Sequence, residues 1–176
     1  SQSMAVPSSM DLPGTVERAL LEAGCSGIWE DDLPKRQSCL SDGWYASFGY
    51  SLTDYPRPMP LNGWFGLCHP EDLPALAAAH AELAAGRSGP FRLELRLRAA
   101  SGAWRHLQVC GQVAARSADG VPVRLAGTLT DVTEQKELLA SLAASQRRNE
   151  MFLRAVPDLL FVTDGEGRIL DYSASR

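Results

Sequence analysis

The sequence predicts an α+β fold: two groups of antiparallel strands separated by short helices, then one long helix. Three observations predict it. Phe91-Arg92-Leu93-Glu94-Leu95-Arg96-Leu97-Arg98 alternates apolar and charged residues without a fault, the period-2 pattern of a strand with one buried and one wet face. Two more apolar-alternating runs follow, Trp104 to Ala115 and Val121 to Thr130, with turn residues between them. After Asp131 the apolar spacing lengthens to that of a helix, which runs to about Val156.

The three runs form a meander. Ala100-Ser101-Gly102 makes the first turn and Ser117-Ala118-Asp119-Gly120 the second, because Asp-Gly tolerates the positive φ of tight hairpins. Leu107, Val109 and Val113 fall on one face of the second run, with Trp104, His106, Gln108, Cys110 and Gln112 on the other. Val123, Leu125 and Leu129 are in phase on the third. Leu93, Leu107 and Leu125, at matching phases of adjacent strands, are expected to be neighbours.

Upstream, Ser1-Gln2-Ser3-Met4 reads as a cloning remnant, and residues 1–14 as tag and linker. Thr15 starts a short amphipathic helix, with Val16, Ala19, Leu20 and Ala23 on one face and Gly24 as its stop. Short strands are predicted from Ser26 to Leu33 and from Gln37 to Leu40, around Pro34-Lys35-Arg36. Gly43 to Tyr50 is a helical turn carrying Trp44, Tyr45 and Phe48, ended by Gly49. The stretch from Ser51 to Asn62 holds three prolines and reads as irregular, and Gly63 to Leu67 as another turn. His69-Pro70-Glu71-Asp72-Leu73-Pro74 opens an alanine-rich helix, Leu73 to Ala85, stopped by Gly86.

Composition narrows the function classes. The 176 residues are 45% hydrophobic and 22% charged, with a net charge of −4. That balance suits a soluble globular chain and not a nucleic-acid footprint. The longest apolar runs are too short to span a bilayer, and no signal-peptide order appears. A cytoplasmic protein without membrane or nucleic-acid contact is expected. Cys25, Cys39, Cys68 and Cys110 have no C-x-x-C spacing, and four free thiols, mostly buried, are expected.

No catalytic signature is present: no G-x-S-x-G, P-loop, G-x-G-x-x-G or H-E-x-x-H. No catalysis and no metal site are expected. His69 precedes a proline at a helix start, where it caps or packs. His80 lies at no special spacing in the alanine-rich helix and is expected to face solvent. His106, opposite Leu107 and Val109, is expected to meet solvent or a partner.

The Asp119-Gly120 hairpin, a strand containing Gly127, and Asp131-Val132-Thr133-Glu134-Gln135-Lys136 at a helix start resemble the C-terminal half of a PAS domain. In that family a meander closes on D-[IV]-T-x-x-K/R. Trp29-Glu30, Trp44 with Phe48-Gly49-Tyr50, His69-Pro70-Glu71-Asp72-Leu73 and Gly102-Ala103-Trp104-Arg105 look like the subtype common in bacterial sensor proteins. The departures are Ala100-Ser101-Gly102 where the family often has Lys-Asp-Gly, and Arg105-His106 where it often has Arg-Trp. Over residues 15–133 the resemblance implies a five-stranded antiparallel sheet with its short helices clustered on one face.

It also implies an apolar space under that face. Phe91, Leu93, Leu95, Leu107, Val109, Leu125 and Leu129 are expected to face it, with Trp29, Phe48, Trp64 and Phe65 from the first half. A filled core and a small-molecule site stay equally open, because an apolar face looks alike in both. Haem-binding members place an axial histidine in roughly the helix of His80. Flavin photoreceptors need an Asn-Cys-Arg motif, which Cys39 and Cys68 lack. No haem and no flavin are therefore expected. Asp131 and Thr133 are read as caps of the helix start and as the coupling point from sheet to helix.

In the helix of residues 134–156, Leu139, Leu142, Leu153 and Val156 fit a heptad seam begun at Val132, with polar Gln135, Gln146 and Asn149 at its remaining positions. A marginal, switchable dimer helix is expected. The chain then repeats itself at a constant offset of 133 residues, Glu150 standing where Glu17 stands and Asp164 where Asp31 stands. Residues 157–176, with a Gly-turned hairpin at Asp164 to Tyr172, read as the start of a second PAS domain. Such a chain is expected to be a sensor or a ligand-free dimerisation and spacer module. It would serve a histidine kinase, a diguanylate cyclase or a phosphodiesterase in two-component or cyclic-di-GMP signalling.

Overall fold

The structure, a computed structural model, describes residues 19–20, 22–155 and 159–174. The start of the predicted first helix (Thr15, Val16) and the last seam residue, Val156, lie outside them. Strands β1 (Gly27–Asp32) and β2 (Gln37–Leu40) form an antiparallel hairpin. Helix α1 (Asp42–Phe48) follows and ends at Gly49, whose φ of 78° is the left-handed stop that glycine permits. After β3 (Met59–Pro60) and a short 3-10 turn (Phe65–Leu67) comes α2 (Leu73–Ala84). The meander is β4 (Phe91–Arg98), β5 (Trp104–Arg116) and β6 (Pro122–Asp131), and α3 (Thr133–Ala155) leaves it directly.

The sheet has the order β3-β2-β1-β6-β5-β4, with every neighbouring pair antiparallel. It has six strands where five are expected. The proline-rich stretch adds the extra one, Met59 and Pro60 pairing with Ser38 and Gln37 at the sheet edge, where a missing N–H is tolerated. β1 joins β6, so the first and last parts of the domain close on each other.

Period 2 in the strands and period 3.6 in α2 decide what is buried. Leu95, Leu97, Leu107, Val109, Leu125 and Leu129 are buried on one face of the sheet. α2 lays Leu76, His80 and Leu83 against that core, the i, i+4, i+7 stripe of a helix whose other positions are mostly alanine. Trp44, Phe48 and Trp64 fill the rest. Register corrects one expectation. Leu107 stands opposite Leu95 and Asp131, whereas Leu125 stands opposite Val113 and Asp31. The β5–β6 hairpin is long, and Leu125 sits near its turn while Leu107 sits at its far end.

The chain divides into two units, one ending at Thr133 and one starting at Glu134. In the second, Leu138, Leu139, Leu142, Met151, Phe152 and Leu153 of α3 are exposed. Strands β7 (Leu159–Thr163) and β8 (Ile169–Ala174) form an antiparallel hairpin, at the offset that maps β1 and β2 onto it. Among the described residues no helix is long and apolar enough to cross a membrane.

Candidate functional site

The inner face of the sheet, for which the sequence leaves a filled core and a small-molecule site equally open, is packed with side chains. Trp29, Phe48, Trp64, Leu95, Leu107, Val109, Leu125 and Leu129 are all buried, and Phe65 and Leu93 are half-buried against them. His80 is not solvent-facing, contrary to expectation: it is 5% exposed. Its Nε2–H donates to Asp31 Oδ2 at 2.5 Å, and the Ser38 hydroxyl donates to Asp31 Oδ1 at 2.6 Å. Asn62 N–H in turn donates to Ser38 Oγ at 3.0 Å. Asp31 falls on the inward phase of β1, and His80 on the buried stripe of α2, so the two meet inside the core. The carboxylate is the middle member of this chain. Serine and histidine bond to opposite oxygens of it, so the geometry does not activate the serine as a nucleophile.

The second constellation lies where β6 becomes α3. Asp131 Oδ1 accepts from both the amide and the hydroxyl of Thr133, at 2.9 and 2.6 Å. This satisfies an amide that has no partner inside the helix. Asp131 Oδ2 accepts from Arg105 Nε at 2.8 Å, and the Asp131 amide donates to Ser26 Oγ at 2.9 Å. Thr133 Oγ1 accepts from the His106 amide at 2.9 Å, while the Val132 amide donates to the His106 carbonyl at 2.8 Å. Burial pushes the Asp131 carboxyl up, but Thr133 and Arg105 more than offset it and hold it below the usual carboxylate range. The helix start is thus fixed to β5 and to the residue before β1. Asp131 does the capping expected of either residue, and Thr133 ties the helix to β5. The sequence singles out neither Arg105 nor Ser26 for this junction, and of His106 it predicts only that it meets solvent or a partner. Arg105 belongs to the Gly102-Ala103-Trp104-Arg105 motif, and its side chain reaches Asp131 diagonally, since the register sets Asp131 opposite Leu107.

A third cluster fixes the start of α2 to edge strand β4. Arg96 donates through Nε to Asp72 Oδ2 and through Nη2 to Asp72 Oδ1, both at 2.9 Å, and reaches Glu71 as well. The Arg96 guanidinium holds the Asp72 carboxyl down at about 2. His69 Nδ1 accepts from the Glu71 amide, and its ring lies 5.0 Å from that of Trp104, the capping and packing expected of it. His106 is half-buried.

The cysteines are free, but only Cys68 is buried; Cys25, Cys39 and Cys110 are half-buried. Burial pushes the Cys68 thiol up to about 12. Among the described residues no three His, Cys, Asp or Glu side chains cluster as a metal ion would need. On the other face of the sheet a groove of ≈ 610 Å³ runs over Ile28, Arg92, Cys110, Gln112, Ala126 and Thr128, bordered by Leu20. Leu139, Leu142 and Leu153, expected to pair, stand exposed on α3.

The chain is 28% identical over 153 residues to the non-motile and phage-resistance protein of Caulobacter vibrioides, a match covering 87% of this chain and 18% of that protein. It therefore spans less than a fifth of that curated relative. Its fold is similar to a sensory box histidine kinase/response regulator from Burkholderia thailandensis, at 24% identity and a TM-score of 0.60, covering 77% of this chain and 98% of that one. It is also similar to the N-terminal domain of a diguanylate cyclase with PAS/PAC sensor from Marinobacter aquaeolei, at 14% identity and a TM-score of 0.54, covering 62% and 97%. Residues 38–129 match the family model of the PAS fold, and the chain belongs to that family.

Proposed function

We propose that the chain is a signal-relay segment of a longer bacterial regulator acting in the cytoplasm. The PAS unit of residues 15–133 passes a change in packing to α3, and α3 carries it toward an output domain: a histidine kinase, a diguanylate cyclase or a phosphodiesterase. Catalysis belongs to that output and not to this segment. The observation that carries the reading is the anchoring of Asp131 and Thr133 to Arg105, His106 and Ser26. A shift of β5 against β6 cannot leave the start of α3 where it was.

Two copies pair through the seam of Leu139, Leu142, Leu153 and Val156. The exposure of the first three, beside that of Leu138, Met151 and Phe152, supports this. The hairpin at the offset of 133 residues supports a second PAS unit beginning at residue 157. A ligand-free dimerisation and spacer module is the second reading, favoured by the way side chains already fill the inner face of the sheet.

The two readings part on one measurement. In the full-length protein, Asp131→Ala with Thr133→Ala is expected to fold and to pair as wild type does, yet to lose the response of output activity to signal. A spacer would leave that response intact, and an unchanged response in the double variant would overturn the relay.

A further inference from the structure

Two rows of residues face outward across the sheet, on the side away from the packed core. In one, Ile28 of β1 stands opposite Thr128 of β6, Thr128 opposite Cys110 of β5, and Cys110 opposite Arg92 of β4. In the next, Glu30 stands opposite Ala126, and Ala126 opposite Gln112. The side chains at the middle of each row are small and those at the ends are large, so this face is hollow between β1 and β4. The hollow is the groove of ≈ 610 Å³, a size that small-molecule sites share. Its two ends differ. At β1 it is apolar: Ile28 lies there, and Leu20, whose carbonyl accepts the Cys25 amide just before that strand, borders it. At β4 it ends on Arg92, which is exposed and whose side chain makes no hydrogen bond or ion pair among the described residues. From one end to the other is three strand spacings, about 14 Å.

We propose that this outer groove binds a free medium-chain fatty acid, its carboxylate on Arg92 and its tail laid over Cys110 and Thr128 toward Ile28 and Leu20. A guanidinium presents paired donors in the geometry of a carboxylate, and a tail seated along the floor leaves water together with the apolar surface it covers. A slender ligand suits this face better than a flat one. A second copy laid on it would have to cover Arg98 as well as Arg92, both exposed along β4, and a charge taken out of water without a partner is costly. A fatty acid gives Arg92 its counter-ion and leaves Arg98 in solvent. The groove is open in the chain as it stands and lies across the sheet from Trp29 and the core. The site goes beyond the relay reading, and its test reads binding and not output.

The test is calorimetric titration of the chain with three probes: dodecanoate below its micelle concentration, dodecanol, which has the tail without the charge, and butyrate, which has the charge with little tail. Dodecanoate is expected to bind, dodecanol to bind roughly tenfold more weakly, the worth of a hydrogen bond to a charged group, and butyrate to give no measurable heat, because it has lost most of the tail. Arg92→Gln is expected to weaken dodecanoate to the level of dodecanol and to leave dodecanol unchanged. Ala126→Leu, at a half-buried position of the floor, fills the groove and is expected to weaken both long probes at least tenfold while keeping the wild-type thermal transition. Where Ala126→Leu does not fold, Arg92→Gln, altered only at an exposed side chain, still decides with the same probes. The proposal is overturned if dodecanoate does not bind, or if it binds Arg92→Gln as it binds wild type. It is also overturned if folded Ala126→Leu keeps full affinity, which puts the probe inside the core, or if that variant changes only the oligomeric state, which assigns the groove to a second copy.

Discussion

His80 and Asp31 touch at 2.5 Å across the interface of α2 and β1, inside the core. Removing one member of such a pair strands the other. His80→Leu leaves Asp31 with the Ser38 hydroxyl as its partner in an apolar surround, and is expected to cost roughly 3–5 kcal/mol. His80→Leu together with Asp31→Leu is expected to recover much of that loss, since apolar replacement of both buried partners is often close to neutral. Urea unfolding of the two variants measures this. If the double variant is less stable than the single one by the full cost of a second lesion, the two side chains act independently.

Leu107 is fully buried on the middle strand of the meander. Leu107→Ala is expected to cost roughly 2–5 kcal/mol by chemical denaturation, the range for a buried leucine whose surroundings relax only partly. A loss well below 1 kcal/mol would show that the inner face holds space at this point.

The Asp72–Arg96 pair sets an acid limit. The folded carboxyl titrates at about 2, below its ordinary value of 3.8. A carboxyl lowered in the folded state adds stability above its unfolded value, and the gain is lost as pH falls through the folded value. The melting temperature of wild type is therefore expected to drop between pH 4 and pH 2 more steeply than that of Asp72→Asn. Glu71 and Asp131 are lowered too, so the slope of the variant is reduced and not abolished. Parallel curves would mean that the clamp between α2 and β4 contributes nothing to folding.

What was legible in the sequence was what period and turn chemistry control. The run from Phe91 to Arg98 is β4 residue for residue, Gly49 and Gly86 do stop their helices, and Asp131 does cap the next one. What was not legible depends on which residues face each other across strands distant in sequence. His80 reads as solvent-facing because it stands at no special spacing in an alanine-rich helix; its partner is 49 residues away. The row of Ile28, Thr128, Cys110 and Arg92 is equally hidden, because the four lie on four separate strands. Register turns them into one feature.

The phase of α3 is open to a direct test. Leu139, Leu142 and Leu153 recur on the heptad and are exposed, so in the proposed dimer they define one seam that must stay aligned with the anchored start at Thr133. Each added residue turns the rest of the helix by about 100°. Seven residues inserted after Ala144 return the seam to nearly its own phase, whereas two turn it by about 200°. Both insertions lie beyond the unit that ends at Thr133, so both proteins are expected to keep the wild-type thermal transition of the PAS unit. In the full-length regulator the seven-residue insertion is expected to keep the response of output to signal, and the two-residue insertion to lock output in one state. Output activity with and without signal measures it. A two-residue insertion that responds as wild type does would make α3 a tether, along which no rotational or packing change travels.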